Sequence, residues 1–196
     1  MDISTKVQLA ANLEAKVLKT PTGCQDHFPA ANVGLNVIHF KDLGPQLEQI
    51  EFDADFFSER CFLVDTGKAH HSGINNWEVY KAVIEKDASV IDALHSIRDI
   101  THELLGVLKS KDYEKVPSLF NAEYEARIRL AKSFSSPEIE KLKEITMGSG
   151  AMAVKICGAG GGGSVLVMAP PEQKQRVIDQ CQKQNFQVLN IKFLKG

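Results

Sequence analysis

Apolar side chains recur at helical spacing through the first eighteen residues: Val7, Ala10, Leu13 and Val17 follow one another in steps of three and four, and Ser4 or Thr5 stands where an N-cap belongs. The spacing predicts a helix to about Leu18 that delivers the chain into a Pro/Gly-punctuated loop. The period then shortens. Residues 35–41, 46–52 and 61–65 read as strands, with Leu35, Val37, Phe40 and the run Cys61-Phe62-Leu63-Val64 as their apolar content; the Thr66-Gly67 turn ends this first, sheet-forming part. From about Asn75 the helical period returns, predicting helices near 75–86, 88–110, 112–133 and 137–146 that layer over a sheet. In the longest, Val90, Leu94, Ile97, Thr101, Leu104 and Leu108 form one stripe. The tail reads as strand 152–157, a glycine loop, strand 164–169, helix 171–184 and strand 186–194. Two antiparallel strands followed by a helix and a strand suggest a ferredoxin-like half, so the expected class is α+β.

Composition narrows the function classes. A chain of 196 residues with 43% apolar content can build a real core as one large domain or two small ones. A formal charge of −2 and a pI near 6.3, without a Lys/Arg cluster, give no footprint for nucleic acid or acidic membranes; small soluble ligands fit better. The start Met1-Asp2-Ile3-Ser4 lacks the basic and apolar stretches of a signal peptide, and no apolar run approaches the roughly 20 residues that span a bilayer, so a cytoplasmic location is expected. Cys24, Cys61, Cys157 and Cys181 are scattered without a C-x-x-C pair, which suggests reduced thiols rather than zinc or disulfides.

The chemistry-bearing stretch with the most unusual composition is K-I-C-G-A-G-G-G-G-S at 155–164. Gly158, Gly160 and Gly163 formally satisfy G-x-G-x-x-G, but a dinucleotide fingerprint opens a helix, and here the apolar run Val165-Leu166-Val167-Met168 follows and ends at Pro170 and Pro171. The Walker pattern fails too, because Ser164 stands where Lys is required. Two readings stay open for these glycines: backbone N–H groups that an anion can approach, or a tight connection against which another backbone packs. A second stretch, residues 20–40, places Asp26 in the loop between the first helix and the first strand. By itself Asp26 can be a general base or an Asx-turn or helix-capping residue.

Taken together, P-T-G-C-Q-D at 21–26, G-L-N-V-I-H-F at 34–40, T-G-K-A-H-H-S-G at 66–73 and K-I-C-G-A-G-G-G-G-S at 155–164 resemble, in one linear order, the GHMP small-molecule kinases, with the heptose-phosphate kinase branch nearest. The last string is close to that family's third signature. The resemblance implies the end of an N-terminal kinase domain in residues 1–68 and a ferredoxin-like C-terminal domain in 69–196. It implies ATP and Mg2+ as cofactors, a small sugar as substrate, and phosphoryl transfer to a sugar hydroxyl with Asp26 as base. Gly23 would let the loop bend, and Gln25 would bind substrate or hold Asp26. Gly158, Ala159, Gly160, Gly161, Gly162 and Gly163 would form a phosphate-side wall.

The departures from the family carry equal weight. The N-terminal glycine-serine loop of type P-x-x-x-G-L-G-S-S, which holds the ATP phosphates in relatives, has no counterpart; Gly34-Leu35-Asn36 and Met147-Gly148-Ser149-Gly150 do not match it. The family's first motif and its N-terminal magnesium-binding acid are missing as well. The chain is therefore expected to correspond to the C-terminal part of a kinase, working with a separate N-terminal half or as a homodimer. A non-catalytic ligand-binding or interaction module, and a shortened form of a longer kinase, are the alternatives. Ala69 and His70 stand where relatives tend to carry Ser-Arg, which removes a fixed positive charge. His70 and His71 are too close in sequence to aim readily at one ion. His95, Asp99 and His102 share a helix face with metal-ligand chemistry, yet that face lies opposite the leucine stripe and reads as solvated. Lys155 reads as a structural or solvated lysine at a strand end.

Overall fold

The computed structural model describes residues 1–19, 22–68, 72–158, 160–189 and 191–195, with only the backbone for 72–75. Ala69, His70, His71 and Ala159 thus lie outside the described residues. The chain separates into two compact units, Met1–Ala54 with Phe193–Gly196, and Asp55–Lys192.

The first unit packs helix α1 (Ile3–Leu18) against the short helix α2 (His27–Ala31) and a hairpin of β1 (Leu35–Lys41) and β2 (Gly44–Ile50). Asp2, not Ser4 or Thr5, caps α1: its carboxylate accepts from the Thr5 N–H at 2.9 Å and the Thr5 hydroxyl at 2.7 Å. The buried side of α1 carries Val7 and Ala11, whereas Leu13 and Val17 of the expected stripe are 54% and 77% exposed. Apolar residues occupy more of this helix's circumference than the hairpin and α2 can cover.

In the second unit, α3 (Ala54–Arg60) leads into β3 (Cys61–Asp65), which pairs antiparallel with both β5 (Ser164–Met168) and β6 (Gln187–Leu189); β4 (Ala153–Ile156) completes the sheet order β4-β5-β3-β6. Grouped by sequence with the first sheet, β3 is instead the first strand of a full ferredoxin-like β-α-β-β-α-β arrangement. Its apolar run explains why. A strand inside a sheet needs two neighbours and a covered face, and the two-stranded hairpin offers neither. Register places Phe62, Val64, Val154, Ile156, Val165 and Val167 on one face, where they are buried with Tyr124, Ile139, Leu142, Val177 and Cys181 from the helices.

The connection from β3 to β4 is a helical layer of α4 (Ser72–Ile84), α5 (Ala88–Ser110), α6 (Val116–Ile128) and α7 (Pro137–Ser149), and α8 (Pro171–Lys183) links β5 to β6. The predicted helix 112–133 is divided by 3-10 turns at Tyr113–Lys115 and Lys132–Phe134. The stripe on α5 is rotated from the predicted one: Val90, Ala93 and Val107 are buried, while Leu94 and Thr101 are exposed. Ala93, small enough to be left out of a leucine stripe, lets Phe134 and Leu130 pack closely. His95, Asp99 and His102 are exposed, and among the described residues no group of three or more His, Cys, Asp or Glu could hold an ion. No helix among them is long and apolar enough to cross a membrane.

Candidate functional site

In the first unit, the segment carrying Gly23, Gln25 and Asp26 is fastened on both sides. The Thr22 hydroxyl donates to the Ala11 carbonyl of α1 at 3.2 Å, and the His27 N–H closes a turn onto the Cys24 carbonyl at 3.2 Å. Phe28, fully buried, anchors α2 one turn later, and His27 Nε2 lies 3.4 Å from the Glu14 carboxylate. Beyond α2, Asn36 donates to the Asn32 and Gly34 carbonyls, both at 2.9 Å, and accepts from the Asn32 amide at 2.7 Å. A polar clasp of this kind fixes the loop from α2 into β1 without an apolar core.

Asp26 itself occupies the N-cap position of α2 but does not act as a cap. Its backbone is helical (φ −76°, ψ −20°) instead of extended, and its carboxylate makes no capping hydrogen bond. The capping role weighed from the sequence is absent. Asp26, Gln25 and Gly23 are all exposed, so the acid is open to a solute. One neighbouring feature escaped the sequence: His27 Nδ1 is buried without a hydrogen-bond partner among the described residues, with no pattern in the residues to mark it.

In the second unit, the glycine loop closes the β4–β5 hairpin. The Cys157 N–H donates to Ser164 at 3.0 Å, and the Gly163 carbonyl accepts from both the N–H and the hydroxyl of Thr66, each at 2.9 Å. Two other segments press on the loop through their carbonyls. Gly161 N–H donates to the Phe134 carbonyl and Gly163 N–H to the Lys68 carbonyl, both at 2.9 Å. A Cβ on Gly160 would stand 2.5 Å from the Phe134 oxygen, and one on Gly162 would stand 2.4 Å from the Lys68 oxygen. Close backbone packing, one of the two readings open in the sequence, therefore accounts for these two glycines. Gly158 differs: at φ +69°, no described residue comes within 4 Å of the place a Cβ would take.

Beside Gly158 lies a charged cluster. Glu123, only 6% exposed, receives Arg127 through Nε at 2.6 Å and through Nη2, and Lys155 Nζ stands 3.0 Å from its other oxygen, an ion pair without hydrogen-bond geometry. Arg127 Nη1 also donates to the Gly158 carbonyl at 3.4 Å. Lys155 is thus paired and not merely solvated. The spacing of Glu123 and Arg127 on one helix was a legible signal for half of this cluster; Lys155 joins only because β4 lies against α6. Burial pushes the Cys157 thiol above its ordinary range, with the Leu166 backbone, Lys155 and Arg127 opposing that shift only in part, so it is not a ready nucleophile.

These observations bear on ATP and magnesium. The open Gly158 end, with two cations beside it, fits a phosphate group, whereas the N–H groups of Gly161 and Gly163 are already used. Magnesium commonly needs only one or two protein carboxylates besides phosphate and water. Among the described residues no group of three or more His, Cys, Asp or Glu forms an all-protein cage for it, so the ion would be held mainly by phosphate and water.

Residues 105–187 match the family model described as GHMP kinases C terminal. A galactokinase of Mycobacterium bovis is 21% identical over 215 residues, covering 93% of this chain and 58% of its own length. Among solved structures, the chain is similar to a Methanococcus jannaschii mevalonate kinase (TM-score 0.74, 18% identity, covering 100% of this chain and 57% of that one). It is also similar to a D-glycero-D-manno-heptose 1-phosphate kinase from Bacteriodes thetaiotaomicron (TM-score 0.69, 20% identity, 96% and 52%). The chain spans little more than half the length of these relatives. Residues 105–187 are thus a GHMP kinase C-terminal domain, in a chain that shares the fold of GHMP kinases over the part it spans.

Proposed function

We propose that this chain is the C-terminal portion of a GHMP-type, ATP-dependent sugar kinase, with a heptose-phosphate-like acceptor. Residues 1–68 carry the acid and residues 69–196 the glycine loop. Asp26 takes the proton of the acceptor hydroxyl as that oxygen bonds to the γ-phosphorus and the bond to the ADP leaving group breaks. Gln25 orients the acceptor or Asp26, and Gly23 permits the bend. The Gly158 end of the loop, with Arg127 and Lys155 beside it, takes the phosphate side. Bound Mg-ATP supplies the phosphoryl group and the shielding of its charge. The observation that carries this reading is Asp26 exposed at a helix start with no capping bond, in a loop fastened on either side.

The main triphosphate loop is assigned to residues other than these, because no string here has its pattern. Calorimetry of the isolated chain with Mg-ATP is expected to show a dissociation constant in the millimolar range or no heat at all. A micromolar constant would mean that a complete nucleotide site is already present. The exposed ridge Leu9, Leu13 and Val17 on α1 is assigned to contact with the N-terminal kinase half or a second copy. Sedimentation is expected to show a dimer, or a complex once that half is added; a clean monomer that ignores it counts against the assignment. The cellular setting proposed is the cytoplasm.

One feature favours the second reading, a non-catalytic module: the N–H groups of Gly161 and Gly163 serve internal packing. That module would tolerate loss of the Asp26 carboxylate in every assay.

A further inference from the structure

Two cations share the single buried carboxylate of Glu123, and one would have been enough to neutralise it. A carboxylate only 6% exposed needs a partner, since an uncompensated charge at that depth is strongly destabilising. The second cation leaves an excess positive charge. It is placed where Arg127 reaches the Gly158 carbonyl and where Gly158 presents no side chain and no described residue comes within 4 Å of the place a Cβ would take. Arg127 has more N–H donors than its contacts to Glu123 and Gly158 use, and Lys155 more than its contact to Glu123 uses. With side chains 21% and 28% exposed, both cations are accessible to a solute while their stems are held.

We propose that Arg127 and Lys155 bind a phosphate-class oxyanion at the Gly158 end of the glycine loop, and that Glu123 is the positioning residue that holds both cations toward it. The proposal rests on reading this loop as the phosphate side of a kinase. It assigns the charge-bearing residues that the glycines cannot supply. The three side chains come from α6 and β4, so they form one anion subsite only in the folded domain.

The test is a titration of the full chain, labelled with 15N, with inorganic tripolyphosphate, following the amide resonance of Gly158. Saturable shifts are expected for the wild-type protein. Lys155→Gln and Arg127→Gln are each expected to weaken the affinity about tenfold, the loss of one charge-assisted hydrogen bond. Glu123→Gln removes a negative charge, so charge counting alone makes binding tighter; the positioning role makes it weaker. Unchanged affinity in Lys155→Gln and Arg127→Gln, or tighter binding in Glu123→Gln, overturns the proposal while leaving the loop as a phosphate wall. Absence of shifts in the wild-type protein overturns both. Should Arg127→Gln fail to fold, Lys155→Gln, at a side chain 28% exposed, decides the matter alone.

Discussion

Replacing Asp26 by Asn is expected to lower turnover by about 10²–10⁴-fold in the catalytically competent protein, the range typical for removal of the general base proposed here. The carboxylate neither caps α2 nor lies buried, so its exchange for an isosteric amide removes no capping bond among the described residues. The thermal midpoint should therefore stay within about a degree of the wild type, since surface changes of this kind fall within about 0.5 kcal/mol. The substrate concentration at half-saturation should change little, because the lost interaction belongs to the transition state. Full-length protein, or this chain reconstituted with an ATP-loop half, assayed by ADP release, is the measurement. Turnover equal to the wild type removes Asp26 from the mechanism and leaves the non-catalytic module as the better reading.

Gly160→Ala is expected to destabilise the second unit by about 2–5 kcal/mol, from left-handed backbone strain and overpacking together. Gly160 has φ +72°, and its new Cβ would stand 2.5 Å from the Phe134 oxygen and 3.0 Å from the Phe134 Cα. Both are backbone atoms, so no side-chain rotation relieves the clash. The shift would also pull the Phe134 carbonyl from the Gly161 N–H. Gly158→Ala is the control, with φ +69° but open space around the Cβ, and should cost only the backbone strain of about 1–2 kcal/mol. Urea unfolding of the two variants separates the cases. Equal midpoints would show that the Phe134 carbonyl does not press on the loop as described.

Much of the architecture was legible locally. The period of the helices α5 and α7, the two strands flanking the glycines and the helix after Pro170 are properties of neighbours within a turn or a strand, and their positions follow the pattern closely. Short elements escaped it. α2 and α3 are single or double turns, too brief for periodicity to register, and they form because Phe28, Phe57 and their neighbours are buried elsewhere. Faces were harder than elements. On α1 and α5 the apolar residues span more than one side, and their partners selected Val7 with Ala11, and Ala93 with Val107, over the larger leucines.

The candidate residues divide along the same line. A carboxylate in a Pro/Gly loop and a glycine run between two strands can be read from adjacent residues, as can the absence of a Walker or dinucleotide pattern. Composition and spacing by themselves determined an α+β chain with a real core, a helix-covered C-terminal sheet and two stretches fit for chemistry. Tertiary structure alone decided that β3 opens the ferredoxin-like sheet, that carbonyls of Phe134 and Lys68 occupy the space beside Gly160 and Gly162, and that Lys155 joins Glu123 and Arg127. Those contacts join residues far apart in the chain. Which atoms fill a glycine's empty side, or which cations meet one carboxylate, is set by packing after the local elements exist.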